Sequence, residues 1–197
     1  MSACGRISGN IISDCAEKPT SGLEVTIWLM NRDDVLLGTV TYDNTNRMLI
    51  TNMVLGGQGN QAYKLTGVKL SNVGRCELVP GEFNSFWRHT IEGRVFKNSA
   101  VQLLEISNLE TSKLVAIVEN KYKGTAGNSA FQVYGLDAGL ELTASNRDTD
   151  DAESGAAWNI TLASNDNALE ADPIKAFFDT DYSTTRGKVV ALETPVP

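Results

Sequence analysis

The stretch that decides the fold is FWRHTIEGRVF, which runs from Phe86 to Phe96. Its side chains alternate between apolar or aromatic residues and polar ones: Trp87, His89, Ile91 and Val95 on one side, Arg88, Thr90, Glu92 and Arg94 on the other. Alternation with a period of two is typical of a β-strand that buries only one face. We therefore predict a half-buried strand here, with His89 hydrogen-bonded in the core.

Further extended segments lie on both sides of this strand, so the chain is predicted to be mainly β. They are rich in β-branched and aromatic residues: Leu23–Met30, Val35–Tyr42, Met48–Leu55, Lys113–Tyr122, Phe131–Leu142 and Ala156–Ala163. Gly135 and Gly139 interrupt one of these segments, which predicts a bend between two shorter strands.

Polar and glycine-rich stretches separate these segments. We predict hairpin connections at Asn31–Asp34 and at Asp43–Asn46, because both consist of turn-forming residues. Gly56–Asn60 contains three glycines. A phosphate cradle would need a Lys-Ser or Lys-Thr pair that opens a helix just beyond, and none follows, so we predict a flexible hairpin tip there.

Helical signals are few. Ser99 and Gln102 have the spacing of a capping box, which predicts a short helix that ends near Leu109. Asp181–Glu193 fits either a capped helix or a strand, because Gly187 and two adjacent valines weaken the helical pattern. The predicted fold is therefore mainly β, with one or two short helices.

The polar stretch Ser145–Gly155 joins two predicted strands and is expected to form a long hairpin with a mobile, acidic tip. We predict that this hairpin is a subunit interface, anchored at its base by an aromatic side chain. The candidate interface residues are Asp148, Asp150, Asp151, Glu153 and Trp158. The carboxylates do not match a twelve-residue calcium loop, because no glutamate closes the loop at the required distance.

Composition limits the classes of function. The 197 residues carry a net charge of −7, and 42% of them are hydrophobic, which fits a single domain over residues 1–197. We expect an N-terminal arm over about residues 1–22 and an extended tail over about residues 194–197. The acidic surface repels phosphate, and no basic stripe suited to nucleic acid is present.

The sequence also indicates where the chain resides. No segment is apolar enough for a membrane span or an export signal, so we expect synthesis in a cytoplasm and no membrane partner. Three cysteines, Cys4, Cys15 and Cys76, make an odd count without a C-x-x-C pair. We expect them to remain free thiols.

No catalytic assembly is visible in the sequence. A serine or cysteine nucleophile needs a base, and the single histidine, His89, falls on the core face of its strand. No carboxylate pair stands out for acid and base work, although partners could come from distant strands. We therefore predict a non-enzymatic protein without catalytic, metal-binding or cofactor-binding residues.

Four stretches carry a resemblance to a known group of proteins. KLVAIVENKYKG (Lys113–Gly124) and FQVYGLDAGLEL (Phe131–Leu142) resemble tail and neck structural proteins of tailed bacteriophages that infect Bacteroidetes, the crAss-like phages among them. GAAWNITLASND (Gly155–Asp166) and LEVTIWLMNRDD (Leu23–Asp34) are similar to segments of the same proteins.

The resemblance implies a β-sandwich or β-barrel subunit of a virion, tail-tube-like or of head-tail connector type. Such subunits form a homo-oligomeric ring around a DNA conduit and contact other tail, portal or connector proteins. Phage DNA passes through without specific binding, and the family has no catalytic residues to carry over. An acidic chain suits a lumen that must not hold phosphates.

Two other classes of function remain open at this point. The first is a phage fibre or decoration domain, or another adhesion-type β-sandwich, with exposed aromatics near Trp28, Trp87 or Trp158 as its binding platform. The second is a small enzyme that uses scattered carboxylates, against which the single histidine argues.

Overall fold

The computed structural model describes residues 9–11, 20–35, 39–68, 70–152 and 154–197. Within these ranges the secondary structure consists of β1 (Leu23–Asn31), β2 (Thr41–Tyr42), β3 (Leu49–Asn52), β4 (Tyr63–Thr66), β5 (Val73–Val79), β6 (Phe86–Val95), α1 (Ala100–Asn108), β7 (Leu114–Asn120), β8 (Phe131–Tyr134), β9 (Leu140–Asn146), β10 (Trp158–Ser164), β11 (Lys175–Phe177) and α2 (Tyr182–Ala191). Short 3₁₀ turns at Arg32–Asp34 and Leu109–Thr111 follow β1 and α1.

The eleven strands form one sheet that folds into two layers, which are joined where Leu114 of β7 pairs with Leu140 of β9. The first layer has the order β4-β1-β7-β8-β11-β3-β2, and the second has the order β9-β10-β6-β5. All neighbouring strands are antiparallel except β11 and β3. Apolar side chains of both layers share one core, among them Ile27, Ile91, Leu140 and Leu162. The mainly β fold is thus confirmed, and it is sandwich-like rather than a closed barrel.

A second core lies on the other face of the first layer. There Trp28, Ile117 and Phe131 pack against Val189 of α2 and Leu192 just after it. Strand β7 therefore lies between two cores, and six of its seven residues are buried. Burial on both faces explains why its sequence is continuously apolar rather than alternating.

Several predicted elements are confirmed. In β6, His89 is 2% exposed and Ile91 is 1% exposed, as expected for the buried face of a half-buried strand. Gly135 has φ = +70°, a left-handed conformation that suits glycine, and it lies at the bend between β8 and β9. The open choice for Asp181–Glu193 is settled as helix α2, because the Asp181 side chain accepts a hydrogen bond from the Thr184 N–H.

Two predicted hairpins are wrong. Strand β1 pairs with β4 and β7 rather than with β2; Asn31 is its last residue, and Arg32–Asp34 forms a 3₁₀ turn after it. Gly56–Asn60 does not connect paired strands, and the Asn60 amide donates to Asp34 Oδ1 at 2.8 Å. The Gly59 N–H also donates to the Val196 carbonyl at 2.8 Å. These partners are distant in sequence, which is why turn residues alone could not reveal them.

Other boundaries differ from prediction. Of Val35–Tyr42, only Thr41–Tyr42 is a strand, and residues 36–38 lie outside the described ranges, as do Cys4 and Cys15. Helix α1 forms where predicted, and its half-buried residues are Gln102 and Ile106, followed by Leu109 in the adjoining 3₁₀ turn. Strands β5 and β11 were not predicted.

Candidate functional site

The predicted acidic hairpin exists, because β9 and β10 pair in antiparallel register. Asp148 and Asp150 are exposed, and Asp151 is half-buried. Trp158 is half-buried at the base of the hairpin, packed against the core of the sandwich. Glu153, the fifth candidate, lies outside the described residues. The structure therefore brings four of the five candidates together, and their role as a subunit interface remains a prediction.

The tip of this hairpin is hydrogen-bonded within itself and approaches the rest of the fold at Phe96. Arg147 Nε donates to the Ala156 carbonyl at 2.9 Å, and Ser154 is only 4% exposed. A Cβ atom on Gly155 would lie 3.3 Å from Phe96 at the end of β6. The exposed carboxylates are therefore presented on a backbone that makes its own hydrogen bonds.

A second hairpin, between β5 and β6, presents apolar side chains to solvent. Leu78, Phe83 and Phe86 are 52%, 89% and 40% exposed. We name the segment Leu78–Phe86 the apolar tip. Leu78 pairs with Trp87 and Phe86 pairs with Val79, so Leu78 and Phe86 lie on opposite faces of the hairpin, with Phe83 in the turn between the strands. Large apolar side chains left exposed at one turn are a feature of contact surfaces. Pro80-Gly81 between two extended runs is the sequence signal that could have identified this turn.

A groove of about 590 Å³ lies between α2 and the outer face of β1 and β4. We name it the α2 groove. Its lining combines apolar and charged side chains: Val25, Trp28, Lys64, Glu119, Arg186 and Val190. Trp28 is 3% exposed, whereas Val25 and Val190 are 40% and 39% exposed. The groove is large enough to accept one or two side chains of a partner.

Glu193 is held at one end of the α2 groove. Trp28 Nε1 donates to Glu193 Oε1 at 2.7 Å, and Lys64 Nζ lies 2.7 Å from Oε2 of the same carboxylate. Burial acts to raise the pKa of Glu193, but the hydrogen bonds from Lys64 and Trp28 outweigh it and lower the pKa below its ordinary value. Both oxygens of this carboxylate therefore already have a partner.

The other carboxylates of the α2 groove are also paired. Lys123 Nζ lies 2.6 Å from Glu119 Oε1 and 3.3 Å from Glu24 Oε1. Tyr182 Oη donates to Glu119 at 2.6 Å. Arg186 is exposed and forms no salt bridge with any other residue that the structure describes. The Arg186 charge helps to lower the pKa of Glu193 from beyond salt-bridge distance, so Arg186 is the cation of the groove without a direct carboxylate contact among the described residues.

A buried carboxylate holds the turn between β8 and β9. Glu170 is 1% exposed and accepts hydrogen bonds from the backbone N–H groups of Asp137, Ala138 and Gly139 at 2.8, 2.9 and 3.2 Å. Burial raises the pKa of the Glu170 carboxyl, and the three backbone hydrogen bonds oppose that shift. All of its hydrogen-bond donors are backbone groups of one turn, so its visible role is structural.

His89 lies in the same region of the core. Its Nδ1 accepts a hydrogen bond from the Gly135 N–H at 3.1 Å, and the ring contacts Tyr134 edge-on. Burial lowers the pKa of His89 to about 4, against a weaker opposing effect of the Asp172 backbone. At neutral pH the imidazole is therefore uncharged.

Lys175 lies near His89 and pairs with two carboxylates. It is 6% exposed, and its Nζ lies 3.4 Å from Asp137 Oδ2 and 3.2 Å from Asp172 Oδ2. Burial acts to lower the pKa of Lys175, but the two carboxylates outweigh it and raise the pKa. The region thus combines buried His89, Glu170 and Lys175 with the partly exposed carboxylates of Asp137 and Asp172, and sequence patterns did not reveal it.

The aromatic platform expected for an adhesion module is not formed at Trp28. Its ring lies in the core, because β1 is covered on both faces. Trp87 and Trp158 are both half-buried. None of these three indoles is exposed as a free binding face.

Comparison with family models, curated proteins and solved structures yields no match. Neither helix in the described ranges is long and apolar enough to cross a membrane. Among the described residues, no group of three or more His, Cys, Asp or Glu side chains is placed to hold a metal ion. The class of protein defined so far is a β-sandwich-like fold with an acidic hairpin, an apolar hairpin and a groove beside helix α2.

Proposed function

We propose that this chain is a non-enzymatic structural subunit of a tailed-bacteriophage virion, which forms an oligomeric ring of the tail or neck around a DNA conduit. The observation that carries the proposal is the apolar tip, where Phe83 is 89% exposed beside exposed Leu78 and Phe86. A hairpin that presents large apolar side chains to water is stabilised when another molecule covers it.

Electrostatics supports the conduit part of the proposal. The net charge of −7 disfavours contact with DNA phosphates, and the exposed carboxylates Asp148 and Asp150 extend that repulsion to a hairpin tip. Each phosphate that a protein neutralises adds affinity that would slow passage of DNA. A ring of such subunits would let DNA slide.

Electron microscopy tests the proposal. We expect a gold or antibody label on the chain to mark the tail or neck of purified particles, in copies that touch one another around the particle axis. Isolated copies on the outer surface, or absence from the particle, would contradict the proposal.

One observation favours a second candidate, an adhesion-type binding module. The α2 groove combines apolar walls with the Arg186 cation and could hold an extended anionic ligand. Glycan and peptide binding to the wild-type chain, compared with Arg186→Ala, separates this function from the first. Loss of specific binding in that variant alone would favour the module.

A further inference from the structure

From the geometry we infer that the apolar tip of one copy docks in the α2 groove of the next copy, in a head-to-tail contact. The inference rests on the proposed function, because it names the partner surface of the same apolar tip. It goes further in stating which two surfaces meet, and which charged pair aligns them.

The two surfaces cannot meet within one chain. The apolar tip extends from the end of the sandwich where Leu140 pairs with Leu114 at the start of β7. The α2 groove includes Glu119 near the other end of β7, on the face turned away from the second layer. Five residues of strand separate these ends by about 17 Å, and the packed layers add about 10 Å. Contact between the surfaces therefore requires a second copy.

Charge and polarity match across the proposed contact. Glu82 lies beside Phe83 at the exposed turn and forms no salt bridge with the other described residues. In the α2 groove each carboxylate already has a lysine partner, so Arg186 is the charge left to meet an incoming carboxylate. Phe83 would then lie on Val25 and Val190, which are half covered in the isolated chain.

The apolar tip is smaller than a whole interface. A phenylalanine buries about 200 Å², so Phe83, which is 89% exposed, presents about 180 Å², and Leu78 and Phe86 add smaller areas on the two faces of the hairpin. A specific interface buries about 800 Å² on each partner, of which the centre is apolar and the rim is polar. The apolar tip therefore supplies the centre of a standard interface, and the charged residues around the groove supply its rim.

The contact is heterologous, which has a consequence for assembly. Two different surfaces of one chain, placed at opposite ends, join copies in one direction. Such a series closes into a ring when the rotation between neighbours divides a full turn, and otherwise grows as a filament. Head-to-tail docking of this kind needs no element beyond the folded subunit.

Sedimentation of the full chain over a range of concentrations tests the inference. We expect the wild-type chain to associate, and Phe83→Ser or Arg186→Glu to weaken association at least tenfold. A mixture of these two variants should form a one-to-one dimer and stop there, because one keeps its groove and the other keeps its tip. The double variant Glu82→Arg with Arg186→Glu should recover wild-type association to within about threefold, since the charge pair is restored with reversed sign.

A matched control comes from α1, where Leu104 is 60% exposed outside both surfaces. Leu104→Ser should leave association unchanged. The inference is overturned if the variants associate like the wild type, if their mixture yields no dimer, or if the wild type stays monomeric at millimolar concentration. In each case the labelling of particles still decides the proposed function independently.

Discussion

Replacement of Glu170 by alanine should unfold the turn between β8 and β9 and cost a large part of the stability. The carboxylate accepts from three backbone N–H groups, and Gly139, one of the three donors, is buried. A buried donor left without a partner costs about 1 to 3 kcal/mol. Asp137 and Ala138 are half-buried and can regain some hydration. We therefore expect a loss of about 3 kcal/mol in the free energy of unfolding.

Urea unfolding followed by fluorescence, with thermal unfolding beside it, measures this loss. For a chain of this length about 3 kcal/mol lowers Tm by roughly 6 to 12 °C. Glu170→Gln should lose about half as much, because its amide keeps one carbonyl oxygen for Ala138 and Gly139 but faces the Asp137 N–H with a donor. Amide hydrogen exchange should accelerate first at these three backbone groups.

Glu92→Ala is the matched control, because Glu92 pairs with Arg75 on the outer, solvent-facing side of β6. An exposed pair of this kind contributes less than about 1 kcal/mol. A Glu170→Ala variant no less stable than Glu92→Ala would refute the structural role of Glu170.

Three further predictions concern pH, backbone conformation and the acidic hairpin. Burial lowers the pKa of His89 from 6.5 to about 4, so neutral His89 contributes about 3 kcal/mol to the free energy of unfolding above pH 6.5, and this contribution is lost as the pH falls towards 4. Urea titrations at several pH values should show that His89→Asn removes this pH dependence of stability, and an unchanged pH slope would contradict the prediction. Gly135→Ala should lower stability, because a Cβ would lie 2.6 Å from Leu140, whereas Gly187→Ala, with open space around it in α2, should raise the free energy of unfolding by about 0.5 to 1 kcal/mol. Calorimetry measures both changes, and equal effects would argue against the left-handed bend at Gly135. Asp150→Asn should leave Tm within two or three degrees of the wild type in thermal melting. If the acidic hairpin is an interface, sedimentation should show weaker assembly of this variant, and normal assembly would exclude the hairpin from that role.

The location of many elements could be predicted from local sequence. The alternation in Phe86–Phe96 was sufficient for β6, because burial on one face requires an apolar residue at every second position. Asp43 accepts hydrogen bonds from the N–H groups of Thr45 and Asn46, so this turn is stabilised by residues adjacent in sequence. The acidic hairpin was identified for the same reason, since its polar run separates two alternating segments.

Local sequence could not predict the partners of these elements. Strand β1 pairs with β4 and β7, and β11 joins β3 in parallel, because burial of both faces of the first layer governs those choices. Strand β5 went unpredicted because few of its residues are both apolar and half-buried. After Val73 and Gly74 at its start, only Cys76 and Val79 meet both conditions.

The candidate sites show the same division between sequence and structure. The sequence by itself determined that His89 lies on an apolar face and that Asp148 and Asp150 lie in a polar hairpin, because those are properties of neighbouring residues. Only the tertiary structure decided that Glu170 is buried against three backbone amides, and that Arg186 is a cation of the α2 groove. Those environments are built from segments far apart in the chain, and their energies depend on which groups burial brings together.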